Sequence, residues 1–242
     1  MTADRWTPSD TNCLVGVIDL LDGRAVHAIA GERDDYRPIR FCDGNPQSLA
    51  QHYFTVGVTA LYVADLSSIR QHTLQSDLVC ALVETGVPIW LDLGWDGHGN
   101  KRSSEVFHAV GSLAKFSNTR FIAATESCRD TNALSKLADV AGHQRTYLGL
   151  DYRSGELLSV VPEERTWLES ANETNIAGCV ILDLAAVGTQ QGPATEQICK
   201  RVHKTAPELK LVSGGGVRSP EDAKALQAAG CDHILVATAL FP

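Results

Sequence analysis

Short apolar segments recur at fairly even intervals along the 242-residue chain. Within each segment the apolar residues are consecutive, without the alternation of a half-exposed strand, and such runs are typical of strands buried on both faces of a parallel sheet. Gly, Pro or Asp residues bound most of the segments, as expected where strands give way to turns. The predicted strands cover residues 13–21, 60–66, 87–94, 120–125, 145–151, 178–184, 209–215 and 232–238.

Helix signals fill most of the gaps between these strands. Residues 46–57 open with proline and close with glycine, the order expected at the two ends of a helix. Residues 219–230 place Ser219 as an N-cap, Pro220 and two acids in the first turn, and Gly230 at the end. Further helical stretches are predicted at residues 103–116, 130–142, 163–170 and 194–207.

Eight strands alternating with about seven helices predict an α/β fold, either a (β/α)8 TIM barrel or a doubly wound sheet. No Gly-x-Gly-x-x-Gly motif follows the first strand, which counts against a dinucleotide-binding sheet. We therefore expect a single barrel over residues 13–242, preceded by an N-terminal extension of residues 1–12. The barrel is expected to lack its closing C-terminal helix. Its eighth strand would then be covered by the first dozen residues with Trp6, by the second copy of a homodimer, or by a missing segment.

The composition narrows the classes of function. A formal net charge of −8 and the lack of Lys and Arg clusters argue against binding to nucleic acid. No apolar run has the length of a membrane span, and residues 1–12 lack the apolar core of a signal peptide. The seven cysteines are scattered and never spaced as Cys-x-x-Cys, which indicates a reduced, cytoplasmic protein. The histidines show no metal-ligand spacing, and we expect neither a metal nor a cofactor.

Five aspartates end predicted strands, where barrel enzymes carry their chemistry. Because a buried carboxylate is costly unless it is paired, hydrogen-bonded or used for proton transfer, a purely structural role for all of them is improbable, although any single one could cap a loop. The candidates are Asp19, Asp65, Asp92, Asp151 and Asp183.

A glycine-rich turn after the seventh strand is the best candidate for a phosphate site. Gly214, Gly215 and Gly216 would let the backbone approach an anion, and Ala237 and Thr238 at the next strand end would complete the cradle. The alternative is a turn without a ligand.

The segment after the first strand, residues 22–36, is long enough for a lid or a substrate clamp. Its Arg24, His27 and Arg33 could contact a substrate, and solvated surface positions are an equal alternative for each.

Several segments resemble the histidine-biosynthesis isomerase/cyclase family, which contains the ribotide isomerase. VIDLLDGRAVHAIAGERDDY (17–36) resembles its start, where the first strand ends in Asp before a Leu-x-Asp-Gly turn. ALYVADLSS, LGLDYRSG, ILDLAAVGTQQGP and VSGGGVRSPED are similar to its second, fifth, sixth and seventh strands, so the match spans nearly the whole chain. The chain also resembles uncharacterised relatives of this isomerase in archaea and in some bacteria that use methanopterin-type one-carbon carriers.

The resemblance implies a (β/α)8 barrel and aldose-ketose isomerase chemistry of the Amadori type on a small phosphorylated substrate. In the family, the acids that match Asp19 and Asp151 form the acid/base pair. Asp19 would remove the proton from the sugar carbon, and Asp151 would protonate the ring oxygen to open the ribose. We also expect Asp65, Asp92 and Asp183 to contact the substrate, together with Thr189 of the Gly-Thr-x-x-Gly loop.

Departures from the family pattern concern its phosphate sites. The isomerase binds a phosphate at each end of its substrate, and its third strand ends in a glycine-rich turn. Here LDLGWDG places Asp92 and Trp95 in that turn, and Ala124-Thr125 replaces the glycine of the fourth strand. On the eighth strand, Ala237-Thr238 replaces a Gly-Arg pair. We therefore expect one phosphate site to be lost, the other to be weakened, and the substrate to carry a single phosphate.

Two other functions stay open at this point. One is a lyase or condensing enzyme of one-carbon-carrier cofactor biosynthesis, with Mg²⁺ held by the acidic rim. The other is a non-catalytic barrel that serves as a binding or assembly subunit, since this fold hosts many functions. The authentic ribotide isomerase is a further alternative within the leading class.

Overall fold

Eight parallel strands close into a barrel in the computed structural model, which describes residues 6–98 and 104–242. Numbered in chain order, the strands are β1 Leu14–Leu21, β2 Arg24–His27, β3 Arg37–Pro38, β4 Leu61–Asp65, β5 Ile89–Asp92, β6 Thr119–Ala124, β7 Thr146–Arg153, β8 Glu156–Leu157, β9 Gly178–Asp183, β10 Lys210–Gly214 and β11 Cys231–Val236. The barrel order is β1, β4, β5, β6, β7, β9, β10, β11, and β11 pairs with β1 to close the circle. The predicted (β/α)8 barrel is confirmed.

Helices surround the barrel on the outside. They are α1 Pro8–Thr11, α2 Pro46–Thr55, α3 Leu66–Gln71, α4 Ser76–Val83, α5 Ser104–Leu113, α6 Asn132–Ala141, α7 Glu164–Thr174, α8 Glu196–Thr205 and α9 Pro220–Ala228. Ser219 caps α9 as predicted, with its hydroxyl accepting from the Asp222 backbone N–H. Among the described residues, no helix combines the length and the apolar character that a membrane crossing needs.

Two apolar layers hold the structure together. The inner layer fills the barrel and includes Val15, Trp90, Tyr147, Val212 and Leu235. The outer layer lies between the strands and the helices and is built from the side chains of opposite parity. Because successive side chains of a strand point to opposite faces, each strand residue belongs to one layer only. This parity decides which residues at the strand ends can reach the barrel mouth.

After β11 the chain forms a 3-10 turn, Thr238–Leu240. Two residues that precede β1 contact the outside of the barrel. Trp6 packs against the outer apolar layer, and Asp10 contacts Lys224 of α9 at 3.6 Å. Residues from Trp6 to Asp10 therefore contact the outer apolar layer and α9.

The segment after β1 is a folded hairpin, not the single long loop that the sequence suggested. Strand β2 returns antiparallel to β1, with Asp19 beside Val26, and β3 pairs with β2. The hairpin meets the loop after β9, because the Ala30 N–H donates to the Val187 carbonyl at 2.8 Å. At Gly188 a Cβ would lie 1.9 Å from the Ala28 carbonyl oxygen. The two segments thus form a close-fitting roof over one side of the barrel mouth.

Candidate active site

A cavity of about 1060 Å³, counting the part open to solvent, lies at the carboxyl ends of the barrel strands. Its wall is largely apolar, with carboxylates, one histidine and glycine-rich backbone at separate places. Most ligand sites share this combination of an apolar wall and a few polar groups. The location agrees with the rule that barrel enzymes carry their sites on this face.

Asp19 and Asp151 both line the cavity. Their strands, β1 and β7, are first and fifth in the barrel order, so the two carboxylates stand on opposite sides of the mouth. Asp151 is 8% exposed, and its backbone N–H donates to the Thr125 hydroxyl at 3.1 Å. The structure therefore brings the predicted acid/base pair to one cavity, with room for a ligand between its members.

Asp92 and Glu126 line the wall at the third and fourth barrel strands. Asp92 is 6% exposed, and its carboxylate accepts from the Gly94 N–H at 3.1 Å. Glu126 follows β6 and is half-buried. The sequence pattern predicted Asp92 as a site residue but not Glu126. Glu126 directly follows the Ala124-Thr125 pair at the end of the fourth barrel strand, and that position was the available signal. Together Asp92 and Glu126 place two carboxyl groups on this side of the cavity.

Tyr62 also lines the cavity and was missed. It is 5% exposed on β4 and belongs to the inner layer, two residues before Ala64. Burial raises the pKa of Tyr62 well above its usual value, and the charges of Asp92, Asp151, Asp19 and Glu126 raise it further. Tyr62 is thus a neutral phenol, and the charges of all four carboxylates act on it.

The turn after β10 lies across the mouth from these acids, and its backbone forms part of the wall at Gly215 and Gly216. Both have positive φ, +84° and +81°, which side chains with a Cβ rarely adopt. At Gly216 a Cβ would also lie 2.5 Å from the Gly192 carbonyl oxygen. At Gly214 it would lie 2.4 Å from the Leu235 carbonyl oxygen, so that glycine serves close strand packing and lies outside the lining.

Ala237 and Thr238 line the cavity beside this turn. The Thr238 hydroxyl lies 3.0 Å from Nε2 of His27, which also lines the cavity. Burial lowers the pKa of His27, which favours its neutral form at pH 7. Four of the five predicted phosphate residues and one predicted substrate contact therefore come together at the seventh and eighth strands.

The other residues predicted in the segment after β1 and in the loop after β9 lie elsewhere. Arg24 is exposed and outside the lining, and the side chain of Arg33 lies outside the described residues. Thr189 turns its hydroxyl to the Ala186 carbonyl at 2.8 Å, while its neighbours Gly188 and Gln190 line the cavity.

Asp65 and Asp183 point out of the barrel, because their parity is opposite to that of Asp19 and Asp92. Asp65 is fully buried and accepts from the N–H of Ser68 at 3.0 Å, which caps α3. It also accepts from the backbone and the side chain of Gln75, at 2.7 and 2.8 Å.

Asp183 serves two turns in the same way. Its carboxylate accepts from the N–H groups of Ser154, Gly155 and Ala185 at 2.8–3.0 Å. In place of the predicted substrate contacts, the structure gives Asp65 and Asp183 loop-fixing hydrogen bonds away from the cavity wall.

The residues of the turn after β5 are closely packed. The Trp95 indole N–H donates to the Ala133 carbonyl at 3.0 Å, and its ring stacks on Phe107. At Gly94 a Cβ would lie 2.9 Å from the Ile69 Cα. Residues 99–103, with Lys101 and Arg102, lie outside the described part of the chain. In the described part, this turn presents a carboxylate to the cavity and buries the large aromatic ring beside it.

Comparison with known proteins agrees with this fold. The family model described as histidine biosynthesis protein matches residues 13–242. An uncharacterised protein of Methanocaldococcus jannaschii is 29% identical over 94% of this chain and 92% of its own length.

Two further relatives are enzymes named 1-(5-phosphoribosyl)-5-((5-phosphoribosylamino)methylideneamino) imidazole-4-carboxamide isomerase. The one from Thermus thermophilus is 28% identical, with 94% of each chain covered. The one from Parabacteroides distasonis is 25% identical over 94% of this chain and 93% of its own length. These matches confirm the resemblance found in the sequence: the chain belongs to the histidine biosynthesis protein family.

Proposed function

We propose that this protein is an isomerase-type enzyme that applies acid/base chemistry to a sugar-derived substrate with one phosphate. Relatives named as isomerases support the reaction class. Asp19 and Asp151 on opposite walls of one cavity support the acid/base chemistry. The two remaining walls support a single phosphate, because one carries the glycine turn and the other carries Asp92 and Glu126.

The acid pair fits an aldose-to-ketose conversion of an aminosugar. Asp151 protonates the ring oxygen, so the C1–O bond breaks and the amine nitrogen forms a C=N bond with C1. Asp19 removes the proton from C2, which gives the C1–C2 enaminol. Protonation at C1 and loss of the C2 hydroxyl proton then give the aminoketose. Each carboxylate handles one proton, and two carboxylates can divide such work if their environments separate their pKa values.

The phosphate would lie at the seventh and eighth strands. Gly215, Gly216, Ala237 and Thr238 line the wall there, and none of them carries a large side chain. Backbone N–H groups in such a turn suit an anion even in an acidic protein. His27, which contacts Thr238, would add a side-chain donor next to the anion.

The observation that carries the proposal is the single cavity with Asp19 and Asp151 on opposite walls and a glycine-rich turn beside them. The names of the isomerase relatives contain two phosphoribosyl groups. In this chain Asp92 and Glu126 line the wall where a second phosphate would face the first. A carboxyl group offers a phosphate neither an N–H donor nor a positive charge, which are the groups that bind a phosphate in proteins.

A steady-state assay with the authentic two-phosphate ribotide tests the proposal, together with complementation of a histidine auxotroph that lacks the isomerase. We expect weak or no turnover and no growth. Growth with an ordinary kcat/KM would show that the protein is the ribotide isomerase itself. Loss of activity with EDTA, in an assay on any accepted substrate, would instead favour the metal-dependent lyase.

A further inference from the structure

Each member of the acid pair has an apolar neighbour on the adjacent strand. In the register of the barrel, Asp19 lies beside Ala64 of β4, and Asp151 lies beside Leu182 of β9. Residues paired in this way on parallel strands present their side chains to the same face of the sheet. Ala64 and Leu182 also line the cavity. A substrate held between the two acids is therefore flanked by apolar side chains.

The apolar surface is larger on two opposite sides of the mouth. Leu66 and Ile69 follow β4, the second strand of the barrel, while Leu182 and Val187 belong to β9, the sixth strand, and to the loop after it. The second and sixth strands of an eight-stranded barrel stand opposite each other. All four side chains line the cavity. We call these four residues the apolar slot.

The slot keeps apolar surface open to the cavity. Ile69, Leu182 and Val187 pack against the inner apolar layer, yet they are only partly buried. Covering such surface with an apolar group is favourable in proportion to the area removed from water. Leucine, isoleucine and valine side chains have no hydrogen-bonding atoms, so a polar group placed there would lose its contacts with water without replacement, which is costly. The slot therefore suits an apolar, uncharged part of a ligand.

Aromatic side chains line the same cavity. They are Tyr62 on β4, Tyr36 in the hairpin after β1, and Phe241 after β11. Tyr62 lies two residues before Ala64, on the same face of its strand. Aromatic side chains favour offset-stacked or edge-to-face contacts with another ring. These rings favour a flat ring over an alkyl chain as the apolar group.

We propose that the amine of the sugar substrate carries an uncharged, flat ring and that the apolar slot binds this ring. The inference rests on the proposed function, which places the phosphate at the glycine turn and the reacting carbons between Asp19 and Asp151. The substrate then has a phosphate at one end, an aminosugar in the middle and an apolar ring at the other end. A second phosphoribosyl group, with its hydroxyls and its charge, fits the slot poorly.

Calorimetric titration with stable substrate analogues tests the inference. The probes are ribitol 5-phosphate, which has no ring, and the products of reductive amination of ribose 5-phosphate with aniline and with sulfanilate. Inorganic phosphate serves as a competitor. We expect the aniline product to bind at least about tenfold more tightly than ribitol 5-phosphate, because the ring is removed from water. The sulfanilate product carries a fixed negative charge on the same ring and should lose most of this advantage.

One variant on each side of the slot locates the ring. Ile69→Thr and Val187→Thr each introduce a hydroxyl and should reduce the advantage of the aniline product about threefold or more. The affinity for ribitol 5-phosphate should change less than about twofold. Val160→Thr makes the same change at a side chain that is 69% exposed and outside the lining, and it should keep the full advantage. Circular dichroism of each variant checks that the fold is kept.

The two proposals fail in different ways. Equal affinities for the aniline product and ribitol 5-phosphate, both displaced by inorganic phosphate, would overturn the ring site and leave the phosphate position intact. A full ring advantage in both slot variants would also overturn the ring site. Equally tight binding of the sulfanilate product would show that the ring need not be uncharged, contrary to the inference. Binding of the aniline product that inorganic phosphate does not displace would overturn the phosphate position in the proposed function.

Discussion

The Asp65→Asn substitution separates a structural carboxylate from a substrate-binding one. Asp65 is fully buried and accepts three hydrogen bonds, one from Ser68 and two from Gln75, at 2.7–3.0 Å. An asparagine keeps one carbonyl oxygen but turns an NH₂ group toward at least one of these donors. The buried donor then loses its partner, and two N–H groups face each other.

The cost follows from these contacts. A hydrogen bond to a charged group contributes about 1.5–3 kcal/mol, and a buried donor without a partner costs about 1–3 kcal/mol. We expect Asp65→Asn to lower the free energy of unfolding by about 3 kcal/mol. For a chain of this size that loss corresponds to a fall of roughly 6–12 °C in Tm. Affinity for an alkyl phosphate should change less than about twofold, because Asp65 lies outside the cavity wall.

Urea unfolding and calorimetric titration of the same variant give both quantities, with Asp139→Asn as the control that changes an exposed carboxylate. Stability within about 1 kcal/mol of the wild type, combined with a large loss of ligand affinity, would refute the reasoning. Asp65 would then be the substrate contact that the sequence first suggested.

Three further outcomes follow from the site. Asp19→Asn and Asp151→Asn should each lower kcat on an accepted substrate about a hundredfold or more, the usual scale for a positioned acid or base. Gly216→Ala should weaken calorimetric phosphate binding and lower Tm, because its φ is +81° and a Cβ would meet Gly192. Burial lowers the pKa of His27, so its contribution to stability is present above about pH 6.5 and is lost as the pH falls through the lowered value. When the pH is lowered below 6, the free energy of unfolding measured with urea should therefore fall less in His27→Gln than in the wild type.

Each of these expectations can fail. Near-normal kcat in either aspartate variant would remove that residue from the acid/base pair. Unchanged phosphate affinity in Gly216→Ala would place the anion elsewhere. An identical pH dependence of the unfolding free energy in His27→Gln and the wild type would show that His27 does not titrate differently in the folded state.

The barrel could be predicted from the sequence because its signals are local. A run of apolar residues between turn residues marks each buried strand, and Ser219, Pro220 and Gly230 mark the two ends of α9. Helices α3 and α4 were not predicted, since α3 is short and depends on the Asp65 side chain as its cap. The hairpin after β1 was taken for a loop because β2 pairs with β1 and β3 pairs with β2, and no local pattern shows these contacts.

The site was predicted only as far as position along a strand determines it. Asp19 and Asp151 were found because a strand end in a barrel is a place for chemistry. Asp65 also stands at a strand end, but the side-chain alternation sends it outward, and the parity of a whole apolar run is hard to read from sequence. The same difficulty concealed Tyr62, which looks like an ordinary core residue among other apolar residues. Glu126 lies just after the end of β6, so its place in the cavity wall depends on the path of the chain beyond that strand.

A crystal structure of the protein grown with a high concentration of inorganic phosphate tests the central claim most directly. The account predicts one anion at the backbone of Gly215, Gly216 and Thr238, and none at the wall formed by Asp92 and Glu126. An anion beside Asp92 or Trp95, with the glycine turn empty, would contradict it, because the cavity would then bind its phosphate at the wall lined by Asp92 and Glu126.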